Sequence, residues 1–95
     1  MRNLLQKIDF KTRLRALLLD LSYERRDVIL ASGEKSDFYF DGKQTSLNAE
    51  GAFLLGEILF DMTREMSAQV TAVGGPTLGA DPLVTAVSLT SHIKG

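Results

Sequence analysis

Gln69-Val70-Thr71-Ala72-Val73 reads as a buried β-strand, and the sequence offers it no parallel neighbour. The run leads into a glycine-rich loop, Gly74-Gly75-Pro76-Thr77-Leu78-Gly79. Asp81-Pro82 then signals a helix start, with Asp at the N-cap and Pro in the first turn. Leu83, Ala86 and Val87 take the inward face of that helix. Strand, loop and helix are the first two parts of a βαβ unit, whose third part is a returning parallel strand. A strand that is to be buried needs partners along its edges. The expectation is an incomplete α/β domain, or a sheet completed by another chain.

Ahead of this unit lie two helical patterns. Phe10, Leu14, Leu17, Leu18 and Leu21 fall within an arc of about 100°, one face of an amphipathic helix, with Asp9 at its N-cap. Lys11, Arg13 and Arg15 point elsewhere, onto a solvated face. Asn48 is placed to cap a second helix, with Glu50 in its first turn. Ala52, Leu55, Leu59, Met62 and Met66 form its apolar stripe, widened by Phe53, Leu54, Ile58 and Phe60. Glu57, Asp61, Arg64 and Glu65 remain as the polar stripe. The methionines sit at core spacing, as packing residues.

Between the helices the pattern is that of a hairpin. Asp27-Val28-Ile29-Leu30-Ala31 and Asp37-Phe38-Tyr39-Phe40-Asp41 flank the turn-forming Ser32 to Ser36. Alternation puts Phe38 and Phe40 on one face and Tyr39 on the other. Residues 42–47 read as a polar loop.

The chain's 95 residues allow one core, and 44% hydrophobic with 24% charged residues is a globular balance. Eleven basic residues against twelve acidic ones leave a net charge of −1. That supplies no basic stripe for a phosphate backbone, so nucleic acid is not an expected partner. The absence of cysteine excludes disulfides, thiolate metal sites and a cysteine nucleophile. The single histidine, His92, excludes a His-rich metal cluster. Met1 to Lys7 lacks the apolar core of a signal peptide. Arg15 with Asp20, and Glu57, interrupt the two apolar runs well short of the roughly 20 residues a membrane span requires. A cytoplasmic protein with no membrane partner is expected.

Two segments have the make-up of binding sites. The turn from Gly74 to Asp81 would present free N–H groups and the positive end of a helix dipole, the usual seat of a phosphate. Pro76 replaces the second glycine of a dinucleotide loop, and Ala80-Asp81 replaces the Lys-Ser/Thr of a P-loop. A plain strand-to-helix turn fits the same residues. In the hairpin, Tyr39 lies between Phe38 and Phe40, with Lys35, Ser36, Asp41 and Lys43 nearby. An aromatic platform beside a cation suits a flat anionic ring, and a half-buried strand with hydrophilic turns explains the same composition. Glu57, Asp61 and Glu65 share a helix face but lack further ligands for a cation. No base is placed near Ser88, Thr90 or Ser91, and His92 reads as a C-terminal capping cation.

Leu30 to Lys43, Leu-Ala-Ser-Gly-Glu-Lys-Ser-Asp-Phe-Tyr-Phe-Asp-Gly-Lys, resembles the "SGxKSxxYxD" signature of the orotate phosphoribosyltransferases. Leu47-Asn48-Ala49-Glu50-Gly51 resembles the helix entry that follows it. Val73 to Pro82, Val-Gly-Gly-Pro-Thr-Leu-Gly-Ala-Asp-Pro, is similar to that family's first active-site loop. The similarity runs from about Leu17 to Gly95, with both segments in order. Ala31 stands where many members carry Lys before the Ser-Gly pair, and Thr77-Leu78 where many carry Tyr-Lys.

The resemblance implies a type I phosphoribosyltransferase fold, α/β, of which this chain would carry the N-terminal helix, the hood hairpin and the first strand-loop-helix of a parallel sheet. Residues 1–95 would be the N-terminal portion of a single domain. It implies transfer of ribose 5-phosphate from phosphoribosyl pyrophosphate to orotate, giving orotidine 5′-monophosphate and pyrophosphate in pyrimidine synthesis. It also implies Mg²⁺ as cofactor and a homodimer. By similarity, Lys35, Tyr39 and Phe40 would contact orotate, and Gly75, Pro76, Thr77, Leu78 and Gly79 would bind the pyrophosphate group. The family's mobile basic loop and its strand ending in Thr-Thr-Gly would lie beyond Gly95, so the fragment is expected to hold no catalytic residue or metal ligand and to be inactive alone. Two competing readings are a non-catalytic phosphoribosyltransferase-like binding or regulatory module, and a small α/β interaction domain that pairs its sheet with a partner.

Overall fold

The computed structural model describes residues 4–66 and 69–95. Helix α1 spans Leu4–Leu17. Asp9 lies inside it rather than at its N-cap, because nothing between Leu4 and Asp9 breaks a helix. Its apolar face packs as the spacing predicts: Leu17 is buried, and Phe10, Leu14, Leu18 and Leu21 are half-buried. Phe10 meets Phe53 edge to face, with ring centres 5.6 Å apart. The helix widens into a π-helical turn, Leu18–Ser22, closed by Tyr23 N–H donating to Leu18 C=O, and the chain leaves it extended.

Four two-residue strands follow: β1 (Tyr23–Glu24), β2 (Val28–Ile29), β3 (Lys35–Ser36) and β4 (Tyr39–Phe40). The expected single hairpin is in fact two nested antiparallel pairs. In the inner one Val28 faces Ser36 and Ile29 faces Lys35. In the outer one Tyr23 faces Phe40 and Glu24 faces Tyr39. The turn is therefore Leu30 to Glu34, two residues earlier than Ser32 to Ser36. Gly33 sets it: its φ of +88° is the left-handed region that glycine enters freely, and its N–H donates to Leu30 C=O at 2.8 Å. The aromatic arm runs past the inner pair to β1, where the Tyr23 and Phe38 rings stack at 5.9 Å.

The loop expected over residues 42–47 contains one helical turn, α2 (Lys43–Ser46). Helix α3 spans Ala49–Met66, with Asn48 as its cap: Oδ1 accepts from Gly51 N–H at 3.0 Å. Its buried face differs from the stripe marked by apolar spacing. Leu54 is 2% exposed, Gly56 and Glu57 are buried, and Met62 and Met66 are exposed. The long helix α4 (Thr77–Lys94) decides this. It approaches where glycine leaves room, and a Cβ on Gly56 would lie 2.8 Å from Ala86 C=O and 2.5 Å from Thr90 Oγ1. Glu57, expected on a solvated face, is covered there and faces Lys94 Nζ at 3.2 Å.

Two expectations about the C-terminal unit are corrected. Gln69 to Val73 forms no strand; these residues are exposed and irregular. Without a neighbouring strand its backbone N–H and C=O groups gain more from water than from an extended ladder with no partner. Helix α4 starts at Thr77, with Pro76 as N-cap, and not at Asp81. Pro82 is the sixth residue of the helix, and its missing N–H costs one bond to Leu78, which is 82% exposed and can give its carbonyl to water. The described residues are thus helical with two small antiparallel sheets, and the expected parallel sheet is not formed among them. None of the described helices is long and apolar enough to cross a membrane.

Candidate functional site

A cleft of about 440 Å³ opens between the end of β4 and the start of α4. Phe40, Asp41, Gly42, Lys43 and Ser46 form one wall, and Leu78, Gly79 and Leu83 the other. Leu18 and Leu55 lie on its floor. Segments 35 residues apart in the chain meet here because α1 and α3 pack together beneath them.

The first wall is built from Asp41. Its carboxylate accepts from Lys43 N–H at Oδ1 and from Gln44 Nε2 at Oδ2, each at 3.2 Å, which starts the α2 turn. Asp41 N–H donates to Ser22 C=O at 2.9 Å and so joins this wall to the π-helical turn. One turn on, Thr45 is fully buried, and its hydroxyl bonds that of Ser22 at 2.6 Å. Gly51 presses on the Thr45 carbonyl so closely that a Cβ there would collide with it. The second wall is the first turn of α4. Its leading N–H groups lack helical acceptors, and no acidic side chain stands in that turn to neutralise the dipole.

The structure distributes the sequence-derived candidates unevenly. Of Lys35, Tyr39 and Phe40, the cleft is lined by Phe40. Tyr39 carries the Arg26 guanidinium on its ring at 4.7 Å, and Arg26 also binds Glu24 at 2.9 Å. Lys35 lies in β3, opposite Ile29. Of Gly75 to Gly79, Leu78 and Gly79 line the cleft. Gly75 and Pro76 lead into it, and a Cβ on Gly75 would fall 2.7 Å from the Ala80 methyl. Sequence reasoning named Asp41 and Lys43 only as neighbours of the aromatic run, read Leu18 and Leu55 as helix packing, and did not mark Ser46. The Asp-x-Lys start of a helical turn was a usable signal for the first two; the rest meet only through folding.

A second cleft, about 420 Å³, lies between α3, residues 70–73 and α4, and includes Arg64, Ser88 and Ser91. Arg64 is the one ionisable residue in that lining, and a guanidinium cannot serve either serine as a base. His92 is exposed in the last turn of α4. Among the described residues no three His, Cys, Asp or Glu side chains gather as a metal site.

No family model matches the chain. Curated proteins do. An orotate phosphoribosyltransferase of Sorangium cellulosum is 46% identical over 85 residues, which cover 90% of this chain and 44% of that protein. One of Thermosynechococcus vestitus is 41% identical over 87 residues, 92% of this chain and 44% of its own length. Among solved structures, orotate phosphoribosyltransferase of Mycobacterium tuberculosis superimposes with a TM-score of 0.73 at 33% identity, over 82% of this chain and 45% of that one. Its complex with inorganic phosphate gives 0.72 at 33% identity. The chain is therefore similar, over most of its length, to part of the orotate phosphoribosyltransferases, and it spans less than half the length of the relatives it matches.

Proposed function

We propose that this chain is the N-terminal portion of an orotate phosphoribosyltransferase, a single type I phosphoribosyltransferase domain of which residues 1–95 carry the hood and the first active-site loop. The observation that carries the reading is the cleft itself. The two segments that resemble the family, far apart in sequence, supply its facing walls through Phe40 and through Leu78 with Gly79.

In this reading the hood hairpin, with Lys35, Tyr39 and Phe40, holds orotate, and Gly75 to Gly79 take the pyrophosphate of the second substrate. The reaction is substitution at the anomeric carbon. The bond from that carbon to the pyrophosphate oxygen breaks, pyrophosphate leaves with the electron pair, and the orotate ring nitrogen forms the new bond as it gives up its proton to water or to the departing pyrophosphate. The chain's contribution is to hold the two partners in line and to place helix N–H groups near the departing charge. The described residues do not make a magnesium site, since Asp41 is committed to Lys43 N–H and Gln44. Mg²⁺ fits this reading as an ion carried on the pyrophosphate oxygens. A cytoplasmic homodimer acting in pyrimidine synthesis belongs to the same proposal.

The test is turnover by the full-length protein, followed as loss of orotate absorbance with phosphoribosyl pyrophosphate and Mg²⁺ present. Formation of orotidine 5′-monophosphate supports the reading. Tight binding of that nucleotide without turnover would favour a binding or regulatory module on the same fold, and neither would reject both.

A further inference from the structure

We infer that Asp41-Gly42 is a site of spontaneous covalent modification in the folded protein, where the Asp41 side chain closes on the Gly42 amide and the backbone is rerouted through an isoaspartyl linkage. The inference goes beyond the functional reading above and does not depend on it.

The reaction needs a carboxyl carbon, a free amide nitrogen one residue on, and no side chain in the way. Asp41 is the one aspartate in the chain that glycine follows, and glycine follows neither asparagine. Gly42 is exposed and has no Cβ to shield its nitrogen. Among the described residues its N–H makes no hydrogen bond, whereas its carbonyl accepts from Thr45 N–H at 3.1 Å and Ser46 N–H at 2.9 Å. The Asp41 side chain reaches forward to Lys43 N–H, two residues on, at 3.2 Å. That reach lays its carboxyl carbon beside the intervening Gly42 nitrogen. This bond and the one to Gln44 Nε2, also 3.2 Å, are at the long end of the range, so the carboxyl is aimed but weakly held.

The other aspartates lack this combination. Asp9, Asp20 and Asp61 lie in helical turns and precede the bulky Phe10, Leu21 and Met62. Asp81 precedes Pro82, which has no N–H. Asp27 precedes the β-branched Val28. Asp37 precedes Phe38, whose N–H donates to Ser36 Oγ at 3.3 Å.

In the first step the Gly42 nitrogen bonds to Asp41 Cγ. One carboxyl C–O bond breaks, and its oxygen leaves as water with the amide proton and one proton from solvent. The product is a five-membered cyclic imide. Water then adds at the main-chain carbonyl of that ring and the C–N bond there breaks. The nitrogen regains a proton, and the new carboxylate releases one to solvent. The chain now runs through Cγ, one methylene longer, with the carboxylate on Cα. Lys43 N–H and Gln44 lose the acceptor that starts the α2 turn.

The test keeps the full-length protein folded at neutral pH and physiological temperature over weeks. Isoaspartate is read peptide by peptide, by labelled methyl transfer from S-adenosylmethionine with an isoaspartyl methyltransferase and by fragmentation mass spectrometry. The label should collect on the peptide that holds Asp41. Gly42→Ala should keep the fold, since φ is −60° and a Cβ would meet the Phe40 ring at an ordinary 3.6 Å. It should slow the reaction about tenfold by shielding the nitrogen. Asp41→Asn should reach the same imide about tenfold faster, with ammonia as the leaving group. Labelling at Asp41 no faster than at Asp27 or Asp37, labelling that appears only in urea, or a rate unchanged by Gly42→Ala overturns the inference.

Discussion

Ser22 Oγ and Thr45 Oγ1 lie 2.6 Å apart, both buried, and tie the π-helical turn after α1 to the α2 turn that carries Lys43. Neither hydroxyl has water as an alternative, so the pair behaves as a unit. Thr45→Val keeps the shape and strands the Ser22 hydroxyl, which should cost about 1–3 kcal/mol. Thr45→Ser should cost less. Adding Ser22→Ala to Thr45→Val should recover part of the loss, because no buried polar group is then left unmatched. Urea unfolding of the four proteins checks this, and strictly additive losses would argue against the coupling.

The α3–α4 contact is set by the absence of a side chain at Gly56. Gly56→Ala gains helix propensity of about 1 kcal/mol, but its Cβ must find room beside Ala86 C=O and Thr90 Oγ1. Overpacking of this kind costs about 1–3 kcal/mol, and part of it falls on backbone that cannot step aside. The variant should lower the urea midpoint with little change in slope. A raised midpoint would mean that the two helices separate freely.

Arg13 and Glu50 form a bidentate pair, Nε to Oε2 and Nη2 to Oε1, each at 2.7 Å, joining α1 to the first turn of α3. The hydrogen bonds from Arg13 hold the Glu50 carboxyl below its ordinary value of 4.5. A carboxyl whose folded pKa is lowered adds stability above its unfolded pKa, and that stability is lost as pH falls through the folded value. Both side chains are about half exposed, so the effect is small and screened by salt. Glu50→Gln should lower Tm slightly at pH 7 and leave it unchanged near pH 2. At pH 7 the difference should shrink in 1 M salt. A Tm difference that persists at low pH would assign the effect to packing instead.

Leu78, Met66, Ile29 and Ile93 are all more than 70% exposed, and Val70 and Val73 stand free of any ladder. Apolar surface on this scale drives association. The 95-residue chain should therefore bind a hydrophobic dye and melt at a temperature that depends on its concentration. In the full-length protein the amides of Val70 to Val73 should become protected from hydrogen exchange, as the residues of a formed strand are. A monomer with a sharp melt independent of concentration would contradict the first expectation, and fast exchange in the full-length protein the second.

Much of the local structure was legible in advance. Phe10 to Leu21 marked an amphipathic helix because apolar residues recur at its period. Asn48 marked a helix start because a short amide side chain can cap a free N–H, and it does so for Gly51. The hairpin was seen but misregistered by two residues, because Gly33 and not the serines takes the left-handed turn position. Of the candidate site residues, folding brings Phe40, Leu78 and Gly79 into one cleft, while Lys35 and Tyr39 are not in its lining.

By itself the sequence determined that three segments become long helices, that Asn48 caps the second of them, and that residues 69–73 require a neighbour to become a strand. Those properties depend on side-chain period, cap chemistry and backbone hydrogen-bond demand, all written within a few residues of one another. The tertiary structure decided what no local pattern contains. It chose the face of α3 that meets α4, through the space left at Gly56, and so buried Glu57 while leaving Met62 and Met66 outside. It withheld a ladder from Val70 to Val73, since a strand exists only through its partner. It also set Lys43 across from Leu78, because that pairing follows from how the helices pack beneath them and from nothing near either residue in the chain.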